Sequence, residues 1–210
     1  MTESGTLHVA VDLGAGSGRA LVGGAGASGF RLHEAHRFHY AARQAAGRLR
    51  WDTARLIDCI ETGLRQARHT AASLGASIAS VGVDSWGVDY ALLDDDGRLV
   101  EEPVCYRDSR TAGVMDDVFA LVPRDEIFAR TGIQFLPLNT MYQLWAHVRD
   151  GLPGQARHLL LMPDYCHHHL CGSLVSERTN ASTTQLLGAR TGHWDDGLFA
   201  RLGLPRHLMP

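Results

Sequence analysis

The stretch "VAVDLGAGSGRALVG", Val9 to Gly23, decides the fold. Its glycines suit a nucleotide loop in two unrelated architectures, and the residues after the loop separate them. In one, Gly14, Gly16 and Gly18 let the backbone pass close to a cofactor and a helix begins near Ser17, as in an S-adenosylmethionine-dependent methyltransferase. The sequence refuses that helix, because Gly23, Gly24, Gly26 and Gly29 stand where it would run, each costing up to ~1 kcal/mol. The acidic residue expected to close the next strand is also not evident, since Glu34, the first candidate, falls inside a further strand. A strand, tight turn and strand uses the same glycines without penalty. The turn from Gly14 to Arg19 then gathers successive amides into a concavity suited to phosphate oxygens. Asp12, at the end of the first strand, stands where a largely hydrated Mg²⁺ could be held beside a nucleotide, or where an aspartate simply caps the turn.

Outward from that turn, Leu7–Leu13, Ala20–Gly23 and Phe30–Tyr40 read as a meander of three strands. "WDTARLIDCIETGLRQARHTAASLG" comes next, with helical spacing at Leu56, Ile57, Ile60, Leu64 and Ala67, Asp52 or Thr53 as N-cap and Gly75 as terminator. "SIASVGVD" predicts a return to a buried strand, and "DDDGR" a hairpin turn between Val88–Leu93 and Leu99–Tyr106. From Thr111 the pattern is mainly helical. The order predicts an α/β fold in which an antiparallel meander shares its sheet with parallel structure.

Composition narrows the function classes. Of 210 residues, 45% are hydrophobic and 20% charged, close to averages for folded domains. A net charge of −3 with mixed signs gives no electrostatic case for nucleic acid or an anionic membrane. No apolar run is long enough to span a bilayer and Met1–Leu7 lacks the pattern of a signal peptide, so a cytoplasmic location is expected. Cys59, Cys105, Cys166 and Cys171 form no CxxC pair and are expected reduced and mostly buried. In "CHHHLC", Cys166–Cys171, successive helical histidines diverge by about 100° and do not converge on one ion.

Six ordered segments carry a resemblance: "VAVDLGAGSGRALV", "VGVDSWGVDYALLDDDGRLV", "PVCYRDSRTAGVM", "RTGIQFLPLNTMYQL", "LLMPDYCHHHLCG" and "TNASTTQLL". Together they resemble the N-terminal part of FGGY-type carbohydrate kinases, and among these the rhamnulokinases. The resemblance implies a ribonuclease H-like, actin-like ATPase fold, with a three-stranded antiparallel meander plus parallel strands flanked by helices. It implies ATP and Mg²⁺ as partners, and transfer of the γ-phosphoryl group to the 1-hydroxyl of L-rhamnulose or a related ketose. Carried over by position, Ala15, Gly16, Ser17, Gly18 and Arg19 would contact ATP phosphates, Asp12 would lie near the metal, and Gly87 would contact the sugar. The family pattern usually has serine where Gly16 stands, so a hydroxyl that could touch phosphate is missing. Trp86 and Asp89, in "SWGVD", are further sugar-site candidates; Trp86 reads equally as core, and Asp89 as a solvent-facing strand residue. Arg107, Asp108 and Arg110 line a site or form a salt-bridged loop, and Asn139, Thr140 and Gln185 take no assigned role.

In that family the catalytic base is the aspartate of a His-Asp-Thr triplet, and the adenosine is held largely by a second domain. No such triplet occurs in these residues. The expectation is an N-terminal domain over 1–210, incomplete at its C-terminal end, with the second ATP-binding domain absent and the chain inactive alone. Two rivals stand beside it. "VDSWG" shares only part of a nucleophile elbow, because Gly82 falls one position early and Val83 occupies the glycine's place, so Ser85 reads as a strand-end hydroxyl. A degenerate, non-catalytic sugar-binding domain is the other.

Overall fold

The structure is a computed structural model describing residues 6–26 and 29–210. In chain order its elements are β1 (Thr6–Leu13), β2 (Ser17–Gly26), β3 (Gly29–His39), β4 (Ala42–Ala45), β5 (Arg48–Trp51), α1 (Thr53–Ser73), β6 (Ser77–Ser85) and β7 (Tyr90–Leu93). Next come α2 (Val114–Leu121), α3 (Arg124–Thr131), α4 (Thr140–Gly151), β8 (His158–Leu161), α5 (Met162–Cys171), α6 (Arg178–Ser182) and α7 (Asp196–Leu202). They divide into two compact units. One comprises the chain up to Arg43 with Asp52–Trp86; the other comprises Gln44–Trp51 with Gly87–Pro210.

The first unit is the expected meander. Its sheet has the order β3-β2-β1-β6, with β1 antiparallel to β2, β2 antiparallel to β3, and β1 parallel to β6. Alternation decides which face is covered: Val9, Val11 and Leu13 of β1, with Ala20 and Val22 of β2, are buried, whereas His8 and Ala10 are exposed. α1 lies over that apolar face and buries Leu56, Ile60 and Ala67. Full burial of a side chain such as Ile60 contributes about 2–3 kcal/mol. Asp52 caps α1, accepting from the Arg55 amide at 3.0 Å, and Gly75 lies just past its end at φ +68°.

β6 departs from the sequence expectation, for most of its residues are exposed and Val81 is 43% exposed. The register pairs Val81 with Val9 and Val83 with Val11, so the apolar residues are in phase with the covered face. β6 is, however, one of the two edge strands of the sheet, and α1 lies mainly over the other three strands.

The second unit has its core among Tyr90 and Leu92 of β7, Val114 and Val118 of α2, Met141 and Leu144 of α4, and Leu198 and Phe199 of α7. The "DDDGR" turn forms: Asp94 accepts from the amides of Asp96 and Arg98 at 3.0 and 2.8 Å, and the Val100 amide reaches Leu92 O at 2.8 Å. Beyond isolated bridges from Leu99 to Leu93 and from Val104 to Arg50, residues 99–106 do not continue as a strand, which corrects the expected hairpin arm. β7 pairs instead with β8, antiparallel, Tyr90 opposite Leu161. β8, "HLLL", runs straight into α5, and a short apolar run of this kind has no period that separates strand from helix. The β4–β5 hairpin is also outside the sequence expectation; its turn places Ala46 and Gly47 at φ +49° and +73°, and alanine is an unusual occupant of that conformation. Among the described residues no helix is long and apolar enough to cross a membrane.

Candidate functional site

In the first unit the β1–β2 turn is closed by its own backbone, the Gly14 amide donating to Ser17 O at 2.9 Å. Tyr40, just past β3, holds it from behind: its amide donates to Gly16 O at 3.2 Å and its hydroxyl donates to Gly14 O. Among the described residues the amides of Ala15 and Gly16 have no acceptor in the chain, which leaves two adjacent donors in an exposed turn. Such a pair is the donor arrangement that an anionic oxygen requires.

The other candidates of this turn have distinct settings. Ser17 opens β2, half-buried. Gly18 is packed from above: a Cβ there would lie 2.5 Å from two ring carbons of Phe38 and 2.9 Å from Leu13 Cδ2. Arg19 lies opposite Asp12 in the β1–β2 register, and its Nε meets Asp12 Oδ2 at 2.8 Å. On the other side, the parallel register sets Asp84 beside Asp12 and Ser85 beside Leu13. Asp84 is exposed and Asp12 half-exposed, so the strand ends offer carboxylate oxygens, the hard donors that suit a hydrated Mg²⁺. Trp86 is half-buried, its ring 5.9 Å from that of Tyr40 and tilted by 36°. Tyr40 is therefore a site residue that sequence reasoning missed; its signal is its place at the end of the third strand, two residues after Phe38.

In the second unit, Gly87–Val88–Asp89 forms a γ-turn, the Asp89 amide donating to Gly87 O at 3.0 Å across Val88 at φ +71°. This is the strained hand of that turn, and a β-branched residue at its centre is an outlier costing on the order of 1–3 kcal/mol. Buried donors hold it. Thr140 Oγ1 donates to Val88 O at 2.8 Å, and Gln143 Nε2 lies 3.3 Å from the same carbonyl and 3.0 Å from Asp89 Oδ1. Gln143 Oε1 in turn accepts from Arg110 at 2.8 Å.

Asp89 is not the solvent-facing strand residue that its alternation suggested. It is fully buried, and its Oδ2 accepts from Trp51 Nε1 at 2.6 Å and from the Tyr106 amide at 3.1 Å. The "CYRDSR" cluster divides likewise: Asp108 accepts from the amides of Leu49 and Arg110 at 2.7 and 2.9 Å, Arg110 is buried over the Tyr90 ring, and Arg107 lies over Tyr106. Asp108 thus holds its own loop, and Arg110 is linked to the Gly87–Asp89 turn through Gln143. Gly87 itself is half-buried with its Cα faced by α6 and the turn after it, where an added Cβ would lie 3.2 Å from Thr183 Oγ1 and 3.3 Å from Asn180 Oδ1. Thr140, which the sequence left without a role, supports the turn directly, while Asn139 donates to Gln185 Oε1 at 3.0 Å. The free cysteines are Cys105 and Cys166, both buried, the half-buried Cys59 and an exposed Cys171; burial pushes the Cys105 thiol up to about 11 and Cys166 to about 12.

Comparison with known proteins gives these settings a context. The model of the FGGY family of carbohydrate kinases, N-terminal domain, matches residues 7–210. A rhamnulokinase of Pectobacterium carotovorum subsp. carotovorum (strain PC1) is 49% identical over 206 residues, covering 96% of this chain and 40% of the relative. A rhamnulokinase of Yersinia pestis (strain Pestoides F) is 46% identical over 203 residues, covering 95% and 41%. The chain thus spans about two fifths of the length of these relatives. Among solved structures, xylulose kinase from Rhodospirillum rubrum superposes with a TM-score of 0.84 at 20% identity, over 97% of this chain and 42% of that one. The ligand-bound xylulose kinase from Lactobacillus acidophilus gives 0.82 at 18% identity, over 98% of this chain and 41% of that one. The expected actin-like kinase fold is the fold observed.

Proposed function

Because the chain belongs to the FGGY family of carbohydrate kinases, we propose that it is the N-terminal, substrate-holding part of an ATP-dependent kinase that phosphorylates the 1-hydroxyl of L-rhamnulose. The observation that carries this reading is the 49% identity over 96% of the chain to a protein named rhamnulokinase. The β1–β2 turn supports it, because the free amides of Ala15 and Gly16 suit phosphate oxygens, with Ser17 and Arg19 beside them. Gly18 serves that turn by letting Phe38 pack against it. Asp12, with Asp84 alongside, would hold Mg²⁺, the ion that neutralises charge developing on the transferring phosphoryl group. For Asp12 to turn to the metal, Arg19 would exchange its carboxylate for a phosphate.

The sugar is assigned to Gly87 and Trp86. Asp89 contributes by holding Trp51, Tyr106 and Gln143 rather than by touching the ligand, since it is fully buried with its oxygens occupied. Phosphoryl transfer also needs an acceptor for the proton of the attacking hydroxyl. No His-Asp-Thr triplet lies in these residues, so the 210-residue chain is expected to bind sugar without turning it over. Calorimetric titration with L-rhamnulose and, separately, Mg²⁺-ATP, backed by a coupled assay for ADP, tests this. Saturable sugar binding without turnover is the expected result. No sugar binding, or a preference for another ketose, would overturn the substrate assignment; full turnover would locate a base within the chain, with Asp12 and Asp84 the first to substitute.

A further inference from the structure

We propose that the Gly87–Asp89 γ-turn is a preorganised sugar-binding element, and that Thr140 and Gln143 are positioning residues that hold it in its strained conformation. The proposal rests on the assignment of the sugar to Gly87, and adds to it the reason Gly87 stands where it does. Val88 has no steric reason to adopt φ +71°, since valine disfavours positive φ more than most residues do. Conformations of this kind persist where the surroundings over-determine them, and they gather at ligand clamps. Here the surroundings are specific. The Val88 carbonyl, turned out of any strand ladder, is met by Thr140 Oγ1 at 2.8 Å and Gln143 Nε2 at 3.3 Å, both side chains fully buried at the start of α4.

The same helix start also fixes the opposite wall of Gly87. The Met141 amide donates to Thr184 O at 3.0 Å, and Asn139 reaches Gln185, another non-glycine at positive φ, +64°. Asn180 and Thr183, the side chains facing Gly87, lie just ahead of these anchored residues. Asn180 Nδ2 is buried and has no hydrogen-bond partner among the described residues. One short stretch, Asn139–Gln143, therefore sets both the backbone that presents Gly87 and the side chains that close over it. Gln143 Nε2 donates to Leu138 O at 2.8 Å and to Asp89 Oδ1 at 3.0 Å, so it ties the last residue of the turn to the start of α4 while Thr140 holds the Val88 carbonyl. A packing role alone does not require the positive φ at Val88.

The test is sugar affinity of the 210-residue chain by calorimetry, read together with thermal melting. Thr140→Val removes the hydroxyl at nearly constant volume and is expected to weaken L-rhamnulose binding at least ten-fold, with Thr140→Ser restoring it. The decisive variant is Val88→Gly in the Thr140→Val background: glycine adopts φ +71° unaided, so binding should return to within about three-fold of the original chain. Unchanged affinity in Thr140→Val, or no rescue by Val88→Gly, overturns the positioning role while leaving the substrate assignment intact. Absence of sugar binding by the unsubstituted chain overturns both. A second comparison stands even where Thr140→Val does not fold: Val88→Gly should melt above Val88→Ala, the reverse of the order at ordinary sites, and the ordinary order would overturn the strained turn.

Discussion

At the scale of single residues, two positions show how a side chain's surroundings set its effect. Gly18 belongs to a glycine-rich turn, yet its neighbours are a phenylalanine ring and a leucine, so Gly18→Ala should lose about 1–3 kcal/mol by overpacking. Urea denaturation checks this, and a variant as stable as the original would mean that Phe38 swings away freely. Asp164 is the second. It is 4% exposed; among the described residues its Oδ1 accepts from the Glu177 amide at 3.2 Å and its Oδ2 has no hydrogen-bond partner, so burial raises its carboxyl to about 6 from an ordinary 3.8. The folded state therefore binds this proton more tightly than the unfolded one. Its destabilising effect is absent below the unfolded value, grows between the two, and is complete above about 6. Asp164→Asn should accordingly raise stability by on the order of 1–3 kcal/mol at pH 8 and by almost nothing at pH 4. Equal gains at both pH values in thermal melts would refute the assignment.

At the scale of elements, legibility followed periodicity. β1, β2, β3 and α1 were readable because alternation or helical spacing runs through each, and their caps and turns carry matching residues. Ile60, wholly buried under that sheet, gives the corresponding prediction: Ile60→Ala should cost about 2–5 kcal/mol in chemical denaturation. β8 was not readable, since four apolar residues joined to a helix have no period of their own. β6 was readable as a strand but not as an outer one, because burial depends on neighbours that a local pattern does not specify. Edge strands invite pairing with other chains, and here Val81 is an exposed large apolar residue on that strand while Asp84 charges its end.

At the scale of the whole molecule, the kinase lineage was legible in six ordered segments, and the β1–β2 turn in its glycines. The supports were not. Tyr40, Trp51, Thr140 and Gln143 act through contacts between segments far apart in sequence, such as the 2.6 Å bond from Trp51 to Asp89 and the 2.8 Å bond from Thr140 to Val88, and no local pattern announces these. The chain also leaves the first unit at Gln44, returns at Asp52 and leaves again after Trp86, so unit membership is not a matter of contiguous sequence. If the substrate assignment holds, L-rhamnulose at a hundred times its dissociation constant should stabilise the chain by about 2.7 kcal/mol. That is a rise of roughly 5–10 °C in Tm for a chain of this size, measurable by calorimetry, and no rise would contradict the assignment.

The ring pair of Tyr40 and Trp86 has an optical consequence. Four tryptophans contribute to the chain's emission, and Trp51, 1% exposed and bonded to a carboxylate, is shielded from solvent. Trp86 is half-buried, its ring tilted against that of a tyrosine whose hydroxyl holds the Gly14 carbonyl. Occupation of the glycine turn should therefore shift or quench the ultraviolet-excited fluorescence without any label, and Trp86→Phe should abolish that signal, making the chain its own spectroscopic indicator of nucleotide.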